Sequence, residues 1–184
     1  GSGLGTPITM EGLCWGDAGI GLSIVGTTLA AASVAANGTP EQLGEWVPAM
    51  FGTPGDLKIA AFCSSEPDAG SDVGAMRTRA VYDEAKDEWE INGTKTWITN
   101  SVEGSCFALL VKTDPQSQPR HAGMSLFIAP KGEGFFSSRK LPKLGYKSID
   151  SGELVADGFR PSAEHLIGGV EGQGFYLATG GLEL

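Results

Sequence analysis

The chain has 184 residues, 41% hydrophobic and 19% charged, with 13 Lys and Arg against 22 Asp and Glu for a net charge of −9. That length supports one good core or two small ones, and the acidic balance excludes a nucleic-acid surface, which needs a basic footprint. Cys14, Cys63 and Cys106 lie far apart, and the two histidines, His121 and His165, stand alone; this gives no zinc spacing and points to a reducing, cytoplasmic setting.

In chain order, residues 9–50 read as helical, with apolar or small residues at helical spacing from Ile20 to Val34. The apolar run Leu22–Ala36 is broken by Ser23, Thr27, Thr28 and Ser33 and is short for a membrane span. It lacks a basic front, which argues against a signal peptide, so no membrane insertion is expected. Gly38 suits a helix end, Thr39 an N-cap and Pro40 the first helical position. Gln42 stands three after Thr39, as in a capping box. Leu43, Trp46, Val47 and Met50 carry the next helix, and Gly52-Thr53-Pro54-Gly55 ends it.

The pattern then changes to period two. Candidate strands are 57–64, 78–84, 88–92, 95–99, 105–113, 123–129, 135–140 and 152–159, with Asn92-Gly93 as a two-residue hairpin turn. Strands at this density without intervening helices predict an antiparallel barrel or sandwich, so the fold class is α+β. The basic run from Arg139 to Lys147 reads as a solvated strand and turn. Gly168 to Gly174 reads as a glycine-rich turn before a helix rather than a dinucleotide loop, since no β-α-β unit follows. From Glu171 the pattern is helical again, through Phe175, Leu177, Ala178 and Leu182. The expected organisation is a partial helical domain over 1–55, a β-domain over 56–168, and the start of a C-terminal helical domain over 169–184.

Two stretches carry chemistry. Phe62-Cys63-Ser64-Ser65-Glu66-Pro67-Asp68-Ala69-Gly70-Ser71-Asp72 runs from an apolar strand into a turn dense in hydroxyls and carboxylates. Such a loop suits a flat heterocycle with a polar edge, and Trp97 with Thr99 would add an aromatic wall and a hydroxyl. On composition alone the favoured reading is plainer: a serine-rich turn with Asp72 capping the loop and Trp97 in the core. Glu66 and Asp72, six apart, also have the residue types of an acid–base pair. No nucleophile–histidine arrangement is visible.

Ser65-Glu66-Pro67-x-Ala69-Gly70-Ser71-Asp72, followed by Asn92-Gly93-x-Lys95-x-Trp97-Ile98-Thr99-Asn100, resembles the paired signature of the acyl-CoA dehydrogenase family. Gly16-Asp17-Ala18-Gly19-Ile20-Gly21, Gly38-Thr39-Pro40-Glu41-Gln42, Lys143-Leu144-Gly145-Tyr146 and Leu166-Ile167-Gly168 extend the likeness over essentially the whole chain.

The resemblance implies FAD as cofactor and α,β-dehydrogenation of an acyl-CoA thioester. Electrons would pass to an electron-transfer flavoprotein or similar acceptor, and the full-length form would be a homo-oligomer. By position, Phe62, Ser64, Ser65, Gly70, Ser71, Trp97, Ile98 and Thr99 would bind the flavin, and Ser71 would also contact the pantetheine of the substrate. Glu66 and Asp72 become loop-shaping residues. Departures fall at Ile149, Ser151 and Gly152, where the family often has Ser, Thr and Arg, and at Ser101-Val102, where a glycine is frequent. In the family the catalytic glutamate lies in the C-terminal helical domain. Glu183 matches only the start of that domain, so no catalytic residue and no metal ligand is assigned, and the chain alone is expected to be inactive. The rival readings are a truncated, non-catalytic binding or structural chain, and an acyl-CoA oxidase or flavin monooxygenase of the same superfamily.

Overall fold

The computed structural model describes residues 3–180. Three helices come first: α1 (Gly5–Gly16), α2 (Ala18–Asn37) and α3 (Pro40–Phe51). Each break has a local cause. Asp17 caps α2, its carboxylate accepting the Ile20 N–H at 2.9 Å. The predicted capping box of α3 forms in full: Gln42 N–H donates to the Thr39 hydroxyl at 3.3 Å, and Thr39 N–H donates to Gln42 Oε1 at 3.0 Å. Gln42 Nε2 also donates to the carbonyls of Glu164 and Leu166, which ties α3 to the far end of the β-region. Gly52 ends α3 at φ 71, where a Cβ would come within 2.1 Å of the Asp56 carbonyl oxygen.

A short hairpin, β1 (Gly52–Thr53) and β2 (Asp56–Leu57), leads into β3 (Ala60–Cys63), β4 (Arg79–Asp83), β5 (Glu88–Thr99), β6 (Cys106–Lys112), β7 (Met124–Pro130), β8 (Phe135–Lys140) and β9 (Ser151–Phe159). The last element is α4 (Gly174–Gly180), three residues after the predicted onset at Glu171. Leu182 and Glu183 lie outside the described residues. β3 to β9 form one seven-stranded sheet of order β3-β6-β4-β5-β9-β8, with β7 on β6.

Two strand expectations need correction. The sheet is mixed, not antiparallel: β3 runs parallel to β6, Ala60 beside Cys106 through Cys63 beside Leu109, and β4 meets β6 in parallel at Arg79 and Lys112. Parallel neighbours need a long crossover, and here the whole β4–β5 hairpin serves as one. Nor is Asn92-Gly93 a hairpin turn. It lies inside β5, which runs unbroken where two strands were expected; the turn lies instead between Asp83 and Glu88. Gly93 has φ 153, and a Cβ there would meet Thr78 Cα at 2.7 Å. Asn92 Oδ1 accepts the Gly158 N–H across a β9 bulge. The pair is used for close backbone approach.

β6 and β7 are buried on both faces. Phe107, Leu109, Val111, Phe127 and Ala129 join a core with Trp89, Ile91, Phe135 and Leu154. The alternate residues Cys106, Ala108, Leu110, Leu126 and Ile128 pack against Ala30, Ala31 and Val34 of α2. α2 is long and apolar enough by length and composition to cross a membrane, but it is laid against this sheet, with Gly26, Thr27, Ala30 and Val34 buried.

Candidate functional site

The two signature stretches meet where α2 crosses the ends of β3 and β5. Asn100, fully buried at φ 60, fastens the crossing: its amide donates to the carbonyls of Ser23 and Ala60, both at 2.9 Å, and its oxygen accepts from the Ser23 hydroxyl. The Ala60 N–H donates to the Thr27 hydroxyl at 3.1 Å. At Gly26 a Cβ would lie 3.1 Å from the Asn100 amide nitrogen and 3.2 Å from Thr99 Cγ2, so the helix approaches closely there.

The serine turn is pinned to β5 from behind. Thr96 N–H donates to the Ser65 carbonyl at 2.9 Å. Lys95 Nζ donates to the Ser64 carbonyl at 3.2 Å and to Glu66 Oε1 at 2.8 Å. Both side chains are nearly sealed, 2% exposed for Lys95 and 5% for Glu66. The Glu66 carboxylate also accepts from Arg77 N–H, Thr78 N–H and the Thr78 hydroxyl at 2.6, 3.1 and 2.5 Å. Burial pushes the Glu66 carboxyl up, but the Lys95 ammonium and these donors outweigh it and hold the group below its usual range. Burial pulls Lys95 below the usual lysine range, and the Glu66 charge offsets only part of that. Glu66 is a loop anchor, its carboxylate taken up by four donors.

One residue on, β5 bulges. Lys95 pairs with Leu154 and Ile98 with Gly152, so two residues, Thr96 and Trp97, oppose Glu153 alone. Trp97 takes φ 58 and turns its indole outward, 62% exposed. The plainer, composition-based reading of Trp97 as a core residue is therefore corrected: the bulge takes it out of the inward alternation. Ile98 returns to the core, and its side chain is buried.

The result is an open cleft of about 170 Å³ lined by Leu22, Val25, Gly26 and Leu29 of α2, by Phe62, Ser64 and Ser65, and by Trp97, Ile98 and Thr99. Among the described residues no group holds the Ser64, Ser65 or Thr99 hydroxyl, whereas the Ser64 and Ser65 carbonyls are taken from behind. A flat ligand would meet an aromatic wall, an apolar helix face and a row of free hydroxyls.

Six of the eight predicted site residues share this cleft. Ser71 lies in a different one, of about 420 Å³, with Asp72, Val73, Gly74, Gln118, Pro119, Arg120, His121 and Phe175. Gly70 is exposed, and open space surrounds the place of its missing Cβ. Asp72 does not cap the loop; its carboxylate pairs with Arg120 at 3.1 Å on the surface. Asp150 holds the Ser101–Glu103 loop, accepting from the Ser101 hydroxyl and from the Val102 and Glu103 N–H groups. Ile149, at one of the departures, is buried beside it. Sequence reasoning gave no role to Lys95, Asn100 or Asp150. For Lys95 the available signal was a polar residue standing where the alternation of β5 points inward.

A family profile described as acyl-CoA dehydrogenase, middle domain, matches residues 61–159, more than half of the chain. Among curated proteins, (2S)-methylsuccinyl-CoA dehydrogenase of Cereibacter sphaeroides is 37% identical over 178 residues, covering 91% of this chain and 31% of that protein. Among solved structures, butyryl-CoA dehydrogenase from Megasphaera elsdenii superposes with a TM-score of 0.81 at 31% identity. A structure of the electron transferring flavoprotein of Acidaminococcus fermentans gives 0.81 at 32%. Each alignment covers 91% of this chain and 42% of that one, so the chain spans less than half the length of these relatives. With the matched profile spanning β3 to β9, the chain belongs to the acyl-CoA dehydrogenase family.

Proposed function

We propose that the chain is the flavin-holding part of an FAD-dependent enzyme that introduces an α,β double bond into an acyl-CoA thioester. The observation that carries this reading is the cleft between α2 and the ends of β3 and β5. Its exposed indole, unengaged hydroxyls and apolar helix face fit a flat ring system with a polar edge. The names of the relatives, dehydrogenases of CoA thioesters and a flavoprotein, supply the chemistry. FAD, when bound, would accept the hydride from the β-carbon.

The chain's own residues bind and orient. Trp97 would cover one side of the ring, and Ser64, Ser65 and Thr99 would donate to its edge, with Phe62 and the Ile98 backbone filling behind. Gly70 would extend the flavin contact, and Ser71 would reach toward the pantetheine. The cleft Ser71 lines is separate from the indole cleft, which suits a substrate arm better than the ring itself. Proton removal is assigned neither to Glu66, whose carboxylate is held by its donors, nor to Asp72, which pairs with Arg120 at the surface and lines the other cleft. An electron-transfer flavoprotein as acceptor, a homo-oligomeric full-length form and a cytoplasmic location complete the proposal. The free state of Cys14, Cys63 and Cys106 supports a reducing compartment.

Ligand pockets commonly enclose about 300–1,000 Å³, and this cleft is smaller, so weak binding is expected. Titrating the chain with FAD, read by flavin fluorescence, should give saturable binding in the micromolar range or weaker, weakened about tenfold in Trp97→Ala. Absence of saturation at millimolar FAD would refute the reading.

A further inference from the structure

We propose that Lys95 is the positioning residue of the cleft: its buried ammonium holds the Ser64–Glu66 turn and the Trp97 bulge in one register, so that the cleft presents hydroxyls and a standing indole to its ligand. The inference rests on the flavin reading and adds to it a residue that need not touch the ligand.

Consecutive residues of β5 take consecutive carbonyls of the turn, Lys95 that of Ser64 and Thr96 that of Ser65. This spends the acceptors of the turn on the β5 side, while the Ser64 and Ser65 hydroxyls stay without a partner among the described residues. The same lysine sits on the inner side of the bulge, immediately before the two residues that oppose Glu153 alone. A slip of Lys95 would therefore move both walls of the cleft together. Its contact with Glu66 links the arrangement to Thr78, at the entry to β4.

The choice of residue points the same way. A buried ion pair often contributes no more stability than well-packed apolar side chains of similar volume. A methionine or leucine would fill the space without desolvating a charge. What neither could do is grip the Ser64 carbonyl and the Glu66 carboxylate at once. The ammonium offers three donors on a flexible stem, and here at least two are committed to the turn that lines the cleft.

The test compares the 184-residue chain with the double variant Lys95→Met with Glu66→Gln, which removes both charges and leaves no buried ion unpaired. The readouts are far-UV circular dichroism, hydrogen exchange of the Thr96 amide, and FAD affinity by fluorescence titration. The double variant should keep the wild-type spectrum, exchange the Thr96 amide at least tenfold faster and bind FAD at least tenfold more weakly. A folded double variant with unchanged Thr96 exchange overturns the proposal. So does loss of the fold, since the residue would then hold the sheet rather than the cleft. If the unaltered chain binds no FAD, the flavin reading fails, while Thr96 exchange still decides the role of Lys95.

Discussion

The two clefts near the serine-rich stretch differ in how they are built. The indole cleft is wired from inside, with Lys95, Glu66 and Asn100 buried and every oxygen of the Glu66 carboxylate engaged. The Ser71 cleft is held at its rim by Asp72 and Arg120, whose side chains are 60% and 54% exposed. Position in the dielectric decides what each polar contact is worth. Breaking a buried pair strands an uncompensated charge, whereas water compensates an exposed one. The sharpest way to break the comparison is Glu66→Gln, which leaves the Lys95 ammonium without its partner. The expected loss is about 3–5 kcal/mol of unfolding free energy, read by urea denaturation; a loss as small as that of a surface pair would put the two clefts in one class.

Acid should find the same difference. The Glu66 carboxyl is held below its usual value of 4.5 in the folded chain. A depressed carboxyl contributes stability that is fully present above the unfolded value and is lost as pH falls through the folded one. Stability measured from pH 6 downward should therefore decline below about pH 4.5. The double variant Lys95→Met with Glu66→Gln should show a shallower decline, because it has no Glu66 proton to take up. Next in size is Asn100→Ala, which removes the amide that donates to the buried Ala60 carbonyl and the part-buried Ser23 carbonyl at the α2 crossing and leaves them only the Thr27 hydroxyl to share. Under-satisfying a buried carbonyl costs up to about 1–3 kcal/mol, and the same denaturation curve reads it.

Trp97→Ala separates stability from binding. The indole is mostly exposed, and alanine at φ 58 is as strained as tryptophan, so the backbone cost cancels. The midpoint of unfolding should barely move. FAD affinity should fall about tenfold, close to 1.4 kcal/mol, in the titration that measures the wild type. An equal fall in stability would place the indole in the core after all.

The helical third of the fold was legible because its signals are local. Thr39, Pro40 and Gln42 announce the start of α3 from four consecutive positions, and all three act as their chemistry dictates. The strands of β6 and β7 were legible as runs but not as neighbours, since nothing in 105–113 says that β3 will lie parallel beside it. Asn92-Gly93 shows the limit of a local rule. The pair has the residues of a hairpin turn, but Gly93 is spent on the approach of Thr78 inside β5. At the site, the motif residues could be picked out, and six of them do share a cleft. Their supports could not be, because the buried role of Lys95 depends on Ser64 and Glu66 arriving from β3, about thirty positions away in the chain.

The smallest effect belongs to Asp72→Asn, and it sharpens the comparison by being small. Asp72 shares the motif with Glu66 and would look equally important in the sequence. Its carboxylate meets one guanidinium, Arg120, at 3.1 Å from each oxygen, with both side chains more than half exposed. Such pairs contribute about 0–1 kcal/mol and are screened by salt. Removing the charge should therefore shift the urea midpoint only slightly, and that shift should shrink further in 1 M NaCl. The indole cleft shares no lining residue with the Ser71 cleft, so FAD affinity should stay within about twofold of wild type. If Asp72→Asn instead weakened FAD as much as Trp97→Ala does, the two clefts would be parts of one binding surface, and Ser71 would belong to the ring rather than to the arm of the substrate.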